Sequence, residues 1–342
     1  MTSPPEQAAS LSEEEIIRLV ASLTQDASPE LAVGIGDDAA VMLLGGERVV
    51  VTTDLLVEGV HFDLTYFSAQ DLGYKAMAAN LSDLAAMGAV PRWGFLSMGL
   101  PPRPQREFVE GLLRGLSEAG AAQGLSLAGG DTVRSPKLVL NLCLMGLTGK
   151  AKPLLRRGAR VGDAVCVTGT LGGSAAGLTW LQQGGDPADP GVAAACQAHL
   201  RPQARVAAGR ALAETGKVHA MMDLSDGLAS DLARLCRASQ VGAIVNEPLL
   251  PLAPAAVEAA GRLEKSALDW ALRGGEDFEL MFACEPGEVQ LMAEMVADAE
   301  GGLATVRVGT ITKGPGVFLK RADGSQEEIT LQGFDHFREE ET

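Results

Sequence analysis

The sequence has few cysteines, and none of the five is spaced with another as a zinc-binding or redox-active pair. Cys143, Cys166 and Cys284 lie in apolar stretches typical of strands, where a buried, reduced thiol is the ordinary interpretation. A reducing compartment is therefore expected, and we predict a cytoplasmic protein. The N-terminus lacks the basic and apolar segments of a signal peptide, and no apolar run approaches the roughly 18 residues of a membrane span, so no membrane partner is expected.

Positive charge is also in short supply, because 28 lysines and arginines stand against 44 aspartates and glutamates, for a net charge of −16. Proteins that bind nucleic acid need basic patches against its phosphates, so this balance argues against a nucleic-acid partner. Aromatic residues make up only 4% of the chain and hydrophobic residues 46%. The core must therefore be built from Ala, Val and Leu. A length of 342 residues exceeds one average domain and predicts two.

Hydrophobic periodicity predicts helices that alternate with strands, which indicates an α/β or α+β fold. Ser12 and Glu15 form a capping-box signature at the start of the first helix. A long helix rich in small residues is predicted to begin near Ser68. Near residue 150 the composition turns basic, and we place the boundary between two domains, residues 1–150 and 151–342, at this point.

Acidic residues recur next to glycine at the ends of predicted strands. The first such turn, Gly36–Asp38, opens a hairpin whose return strand brings Thr52, Thr53 and Asp54 back to the same end. Carboxylate and hydroxyl oxygens are the hard ligands that Mg²⁺ prefers. Taken singly, each acid has a structural alternative, as a cap of backbone N–H groups or as a solvent-exposed side chain. The other acids in such settings are Asp83 on the long helix, Asp131 and Glu276 in further glycine turns, and Asp223 and Asp226 on either side of Ser225 at a helix start.

Such acids need a counter-charge if they come together. At about 4 Å two carboxylates repel by roughly 4 kcal/mol at an effective dielectric near 20, so a cluster of them implies cations. Mg²⁺ usually combines a few carboxylates with substrate phosphates, which makes a nucleoside triphosphate the natural ligand. The chain has neither a P-loop nor a protein-kinase signature. If it transfers phosphoryl groups, bound metals must do most of the positioning.

Two basic or glycine-rich stretches are each open to two interpretations. Arg156 and Arg157, near the domain boundary, either reach the phosphates of ATP or belong to a solvated linker. Gly169–Ser174 leads into a helix, and a glycine-rich helix start either holds an anion or forms a tight turn.

Short motifs with these residues follow one another over nearly the whole chain. They are Gly34–Asp38, Thr53–Asp54, Gly59–Phe62, Asn80–Gly88, Gly129–Thr132, Asp223–Gly227, Gly274–Glu279 and Gly333–Phe337. Each is weak alone, but in this order they are specific, and with them the sequence resembles the thiamine-monophosphate kinases of the aminoimidazole-ribonucleotide synthetase superfamily. The resemblance implies two α/β (α+β) domains. It also implies that the N-terminal sheet pairs with that of a second subunit and that the C-terminal domain packs helices on a mixed sheet.

The resemblance also implies an enzyme that phosphorylates thiamine phosphate to thiamine diphosphate with ATP, by direct in-line transfer and with several Mg²⁺ ions. It further implies a homodimer, and no side chain is assigned as a general base. The implied Mg²⁺ ligands are Asp38, Thr52, Thr53, Asp54, Asp83, Asp131, Asp223 and Asp226. The implied ATP contacts are Gly130, Asp131, Arg156 and Ser225, and the implied contacts to thiamine phosphate are His61, Glu276 and Phe334.

Alternatives remain for the function and for two of these residues. Another ATP-using synthetase of the same superfamily is one, although selenophosphate synthetases carry a reactive Cys or selenocysteine near the N-terminus and the first cysteine here is Cys143. A non-catalytic regulator that binds Mg²⁺ and nucleotide is another. His61 has the alternative of a strand-end histidine bonded to backbone, and Phe334 that of a plug that closes the C-terminal domain.

Overall fold

The computed structural model describes residues 11–23 and 28–329. In the first half of the chain, a sheet with the strand order β1-β2-β3-β6-β4-β5 is antiparallel throughout except for the parallel pair β4 and β5. Its elements are α1 (Glu13–Leu23), β1 (Leu31–Val33), β2 (Ala40–Leu44), β3 (Glu47–Val57), α2 (Ala69–Ala86), β4 (Val90–Leu100), α3 (Arg106–Ala122), β5 (Ser126–Arg134) and β6 (Val139–Leu147).

Helices α2 and α3 pack against each other, and α2 covers one face of this sheet. Their contact depends on glycine, because a Cβ atom at Gly73 would lie 2.0 Å from the carbonyl oxygen of Leu112 and one at Gly115 would lie 1.8 Å from that of Gln70. Leu140, Leu142 and other aliphatic side chains fill the space between helix and sheet. The opposite face is open, and every residue of β5 is exposed.

The second half of the chain forms a mixed sheet with the order β13-β12-β9-β11-β7-β10-β8, in which β12 and β9 are parallel and the other neighbours antiparallel. Helices flank the sheet, which is the expected layering. The elements are β7 (Ala164–Thr168), α4 (Gly173–Gln182), α5 (Ala193–Leu200), α6 (Val206–Thr215), β8 (Val218–Asp223), α7 (Leu228–Ser239), β9 (Gly242–Asn246), α8 (Pro254–Leu263), α9 (Ala267–Arg273), β10 (Leu280–Cys284), α10 (Val289–Ala299), β11 (Thr305–Thr312), β12 (Val317–Lys320) and β13 (Gln326–Glu328).

The predicted helix starts are confirmed. The backbone N–H of Ser12 donates to Glu15 Oε2 at 2.8 Å, as the capping box requires. Ser68 is the N-cap of α2, and its side chain accepts a hydrogen bond from the N–H of Asp71. None of the described helices is both long and apolar enough to cross a membrane.

Two predicted strand ends are wrong. The return strand of the hairpin does not end at Asp54 but continues to Val57, because β6 pairs with it as far as the register Val57 to Val139. Strand β5 likewise continues through its Gly-Gly-Asp-Thr stretch to Arg134, paired with β4. Phe334 and the motif around it lie outside the described residues.

Candidate metal and substrate site

Three carboxylates from distant parts of the chain meet between the two sheets. Asp38 precedes β2, Asp83 lies on α2 and Asp223 ends β8. One oxygen from each lies within 4.8 Å of the others. We call these three residues the acidic cluster. Because Asp223 belongs to the second sheet and the other two to the first half of the chain, the cluster lies where the halves meet.

Each member of the acidic cluster is fixed by a neighbouring donor. Thr52 Oγ1 donates to Asp83 Oδ2, and Ser82 Oγ donates to Asp223 Oδ2 at 2.7 Å. Arg156 donates to Asp38 Oδ1 from Nη2 at 2.7 Å and from Nε at 3.0 Å. These hydrogen bonds hold the carboxylates together without satisfying all of their lone pairs.

Burial makes the ionised form of these carboxylates costly. It raises the pKa of Asp223 to about 7 and that of Asp54, the strand residue beside them, to about 6. It also raises the pKa of Asp83 well above its usual range, with the charges of Asp54 and Asp223 adding to the effect. Asp38 Oδ2 is buried and has no hydrogen-bond partner among the described residues. An orphaned carboxylate oxygen beside the buried Asp223 and the half-buried Asp83 fits a hard divalent cation such as Mg²⁺.

Two predicted metal ligands occupy other surroundings. Asp226 forms an ion pair with Arg234, which also binds Asp231 at 2.8 Å, so its charge is already compensated within the chain. Thr53 points away from the cluster, since neighbouring strand residues alternate in direction, and its Oγ1 accepts a hydrogen bond from Asn141 Nδ2 at 3.0 Å.

Gly130 and Asp131 lie on β5, far from the acidic cluster within one chain. The register pairs Gly130 with Leu96, Leu96 with Leu142, and Leu142 with Asp54. Three strand spacings of about 4.8 Å separate β5 from β3 by roughly 14 Å. Asp131 is exposed on the open face of the sheet.

The predicted substrate residues occupy different environments. Glu276 lies next to Ser225, whose carbonyl oxygen accepts its N–H at 2.8 Å. Its backbone φ of +57° is one that side chains rarely adopt, which marks a constrained turn. His61 Nδ1 accepts the N–H of Val57 at 3.0 Å. This is the backbone contact that the structural interpretation of His61 expects, and its contact to substrate stays a prediction.

Several buried charges at the same junction were not predicted. Lys75 on α2 and His199 on α5 both contact Glu276. Asp277 accepts the N–H groups of Gly172 at 2.7 Å and Ser174 at 3.2 Å, so a carboxylate of the chain itself occupies the glycine-rich helix start. A lysine on a helix rich in small apolar residues needs a partner if it is buried, but the sequence does not show which.

The comparisons with known proteins agree with this architecture. Residues 36–148 match the family model of the AIR synthase related protein, N-terminal domain, and residues 160–321 that of the AIR synthase related protein, C-terminal domain. The fold and the acidic cluster thus define a protein of the AIR synthase related class.

More particular similarities fall within that class. The chain is 37% identical to the thiamine-monophosphate kinase of Rhodopirellula baltica, with 90% of this chain and 92% of the relative covered. It is 38% identical to that of Escherichia coli K12, with 90% and 93% covered. A solved structure described as AaThiL complexed with AMPPCP and TMP superimposes with a TM-score of 0.85 at 31% identity and covers 96% of this chain and 99% of that one. The chain belongs to the thiamine-monophosphate kinase family.

Proposed function

We propose that this protein transfers the γ-phosphoryl group of ATP to thiamine phosphate, giving thiamine diphosphate and ADP. The observation that carries the proposal is the acidic cluster, in which Asp38, Asp83 and Asp223 bring oxygens within 4.8 Å of one another. Relatives named thiamine-monophosphate kinase and a related structure complexed with AMPPCP and TMP support the choice of substrates.

The transfer is direct. An oxygen of the acceptor phosphate attacks the γ-phosphorus in line, the bond from that phosphorus to the bridging oxygen breaks, and ADP leaves with the electron pair. No side chain is phosphorylated and no general base is required, since a phosphate oxygen is already deprotonated near neutral pH. Binding and orientation by the protein therefore supply the catalysis.

Within this reaction the acidic cluster and Asp54 would hold Mg²⁺, and bound Mg²⁺ supplies neutralisation of the charge on the transferred phosphoryl group. Thr52 and Ser82 orient the carboxylates through the hydrogen bonds described above. We assign Thr53, Asp131 and Asp226 to metal ions as well, and Gly130, Asp131, Arg156 and Ser225 to ATP. Arg156 already places a fixed positive charge 2.7 Å from Asp38, beside the expected position of the phosphates.

Thiamine phosphate is assigned to His61, Glu276 and Phe334. Glu276 adjoins Ser225, and this neighbourhood supports a substrate pocket next to the nucleotide. A flat, cationic heteroaromatic compound favours an aromatic wall, which is the role assigned to Phe334.

We also propose that two chains associate through the open face of the N-terminal sheet. This face exposes large apolar side chains on its strands, among them Trp93 (46% exposed), Phe95 (39%) and Leu55 (53%). Such a patch is typical of an interface. A dimer would also cover β5 and bring residues of the second chain close to Gly130 and Asp131. Sedimentation should give a dimer for the native chain and a monomer for Phe95→Asp.

Two further assignments rest on similar support. A domain boundary near residue 150 fits the segment between β6 and β7. Along the chain, β6 is the last strand of the first sheet and β7 is the first strand of the second. A cytoplasmic location fits the cysteines, which are all free in the described part of the chain.

Mass spectrometry of the products tests the proposed function. Incubation with ATP, Mg²⁺ and thiamine phosphate should yield thiamine diphosphate and ADP in equal amounts, and chelation of the metal should stop both. Undiminished turnover after complete chelation would contradict the role of Mg²⁺. Absence of any ATP turnover would favour a regulator, and ADP formed with a different acceptor would favour another synthetase.

A further inference from the structure

Apart from the acidic cluster, a second polar group joins the two halves of the chain. It consists of Lys75, His199 and Glu276, and we call it the Lys75 cluster. Lys75 Nζ lies 2.9 Å from each carboxylate oxygen of Glu276 and 3.4 Å from His199 Nδ1. The side chains of Lys75 and His199 are 1% and 2% exposed, whereas that of Glu276 is 32% exposed. The Glu276 side chain therefore contacts the buried Lys75 on one side and is open to solvent on another.

The contacts of His199 tie it to both members of the ion pair. Its Nδ1 lies 3.4 Å from Lys75 Nζ, 3.4 Å from Glu276 Oε2 and 3.1 Å from Ser174 Oγ. Burial and the Lys75 charge lower the pKa of His199, which favours the neutral imidazole. Burial alone would raise the pKa of Glu276, but the charges and hydrogen bonds of Lys75 and His199 together outweigh it and hold that pKa at about 2.

Aromatic rings fix the ammonium in place. Lys75 Nζ lies 5.3 Å from the ring centroid of Phe67, and the rings of Phe67 and His199 are 5.5 Å apart. The Tyr66 ring stands beside both of these rings. Enclosed in this way, Lys75 has Glu276 as its one acidic partner in the described part of the chain, and Glu276 cannot rotate without leaving a buried positive charge unpaired.

We propose that Lys75 is a positioning residue, which fixes Glu276 as a hydrogen-bond acceptor for the aminopyrimidine amino group of thiamine phosphate. Because Lys75 already neutralises Glu276, the pair offers no net charge to the thiazolium cation. It does offer the remaining lone pairs of a carboxylate, held in one orientation and open on one side. The inference rests on the proposed function and goes beyond it by naming the part of the substrate that Glu276 recognises.

The same helix carries the phosphoryl-transfer end of the site. Asp83 of the acidic cluster and Lys75 are both on α2, eight residues apart by their numbering. At a rise of about 1.5 Å per residue they are separated by roughly 12 Å along the helix axis. Helix α2 thereby sets the distance between the reacting phosphate and the group that recognises the ring, and this distance suits an extended small molecule.

The first experiment is a double-mutant cycle with Lys75→Met and Glu276→Gln. Lys75→Met removes the charge and roughly keeps the volume. We expect it to raise KM for thiamine phosphate about tenfold or more, with kcat and KM for ATP changed less than about twofold. In the Glu276→Gln background, Lys75→Met should change KM for thiamine phosphate less than about twofold, because its effect acts through the carboxylate.

A matched control is the ion pair of Arg205 with Glu279, which is also largely buried and bonded through Arg205 Nε to Glu279 Oε2 at 2.9 Å. Arg205→Met should lower the melting temperature and leave KM for thiamine phosphate unchanged. If Lys75→Met behaves like this control, or if its effect persists in full beside Glu276→Gln, Lys75 is only structural and the proposal fails. If Lys75→Met alone does not fold, KM for thiamine phosphate in the double variant is compared with that in Glu276→Gln. A difference of more than about twofold then contradicts the proposal.

The second experiment identifies the recognised group. An analogue of thiamine phosphate with an oxo group in place of the pyrimidine amino group keeps the thiazolium and the phosphate. The native enzyme should show a KM for this analogue about tenfold higher than its KM for thiamine phosphate. Lys75→Met should reduce the ratio of these two KM values. Equal KM values in the native enzyme would overturn the assignment to the amino group. Failure of the native enzyme to phosphorylate thiamine phosphate at all would instead contradict the proposed function.

Discussion

The acidic cluster and the Lys75 cluster both join helix α2 to the second half of the chain, yet the pKa values of their carboxylates are shifted in opposite directions. In the acidic cluster, Asp83 and Asp223 have raised pKa values, since burial and like charges act together. In the Lys75 cluster, the pKa of Glu276 is held at about 2, because a buried ammonium compensates its charge. The first site has uncompensated carboxylates that fit a cation, whereas in the second the charge of Glu276 is already compensated within the chain and the carboxylate offers only hydrogen bonds.

The strongest loss of activity is expected from a substitution beside the acidic cluster. Asp54→Asn keeps the shape of the side chain and removes its charge beside the acidic cluster. We expect kcat to fall by about a hundredfold or more, comparable to the loss of one strong transition-state contact. The melting temperature should be maintained, and a near-normal kcat in the folded variant would show that Asp54 has only a structural role.

The second prediction concerns the substrate side. If Phe334 walls the pocket, Phe334→Ala should raise KM for thiamine phosphate about tenfold, which corresponds to a stacking loss of roughly 1–1.5 kcal/mol. KM for ATP and the melting temperature should change little. If Phe334 is instead a plug, the protein should melt several degrees lower and both KM values should rise together. Glu276→Gln should likewise affect thiamine phosphate more than ATP.

A smaller effect is expected on stability, whose dependence on pH should differ between the carboxylates of the two clusters. Carboxylates with raised pKa values, such as Asp54 near 6 and Asp223 near 7, favour the folded state when protonated. The metal-free protein should therefore lose stability as pH rises from about 4 to 7, and the loss should level off above that range. Glu276, with its lowered pKa, contributes in the other direction, and its contribution should be lost only as pH falls below about 4.5.

Thermal unfolding between pH 4 and 8, with and without Mg²⁺, checks this prediction. Mg²⁺ should raise the melting temperature by several degrees at pH 8 and much less at pH 5, where protons compete with it. Asp277→Asn is a useful control, because burial also raises the pKa of Asp277 to about 7 but this carboxylate caps a helix. Asp277→Asn should reduce the change of melting temperature with pH and leave the increase in melting temperature on Mg²⁺ addition unchanged.

Much of the acidic cluster could be predicted from sequence. Gly36–Asp38 reads as a turn at a strand, and Asp223 ends a strand with valine and methionine before a helix start. Local patterns place such residues at the ends of strands, but the resemblance to the thiamine-monophosphate kinases is what grouped them with Asp83 as Mg²⁺ ligands. The alternation of strands and helices predicts the layering of helices on sheets, and the mixed C-terminal sheet was implied by the same resemblance.

The Lys75 cluster could not be found in this way. Lys75 lies 124 residues from His199 and 201 from Glu276 in the chain, and no local pattern links them. The extension of β3 past Asp54 was missed because the pairing with β6, rather than the residues of β3, decides where that strand ends. Contacts between distant segments are set by tertiary packing, which a single sequence does not display.

We propose that the acidic cluster is a cation site whose carboxylates hold protons until a metal displaces them. Calorimetric titration of Mg²⁺ into the nucleotide-free protein, repeated in buffers of different ionisation enthalpy, measures the protons released on binding. We expect clear proton release at pH 6, little at pH 8, and loss of both binding and release in Asp83→Asn. Mg²⁺ binding at pH 6 without proton release, or with Asp83→Asn unchanged, would contradict it.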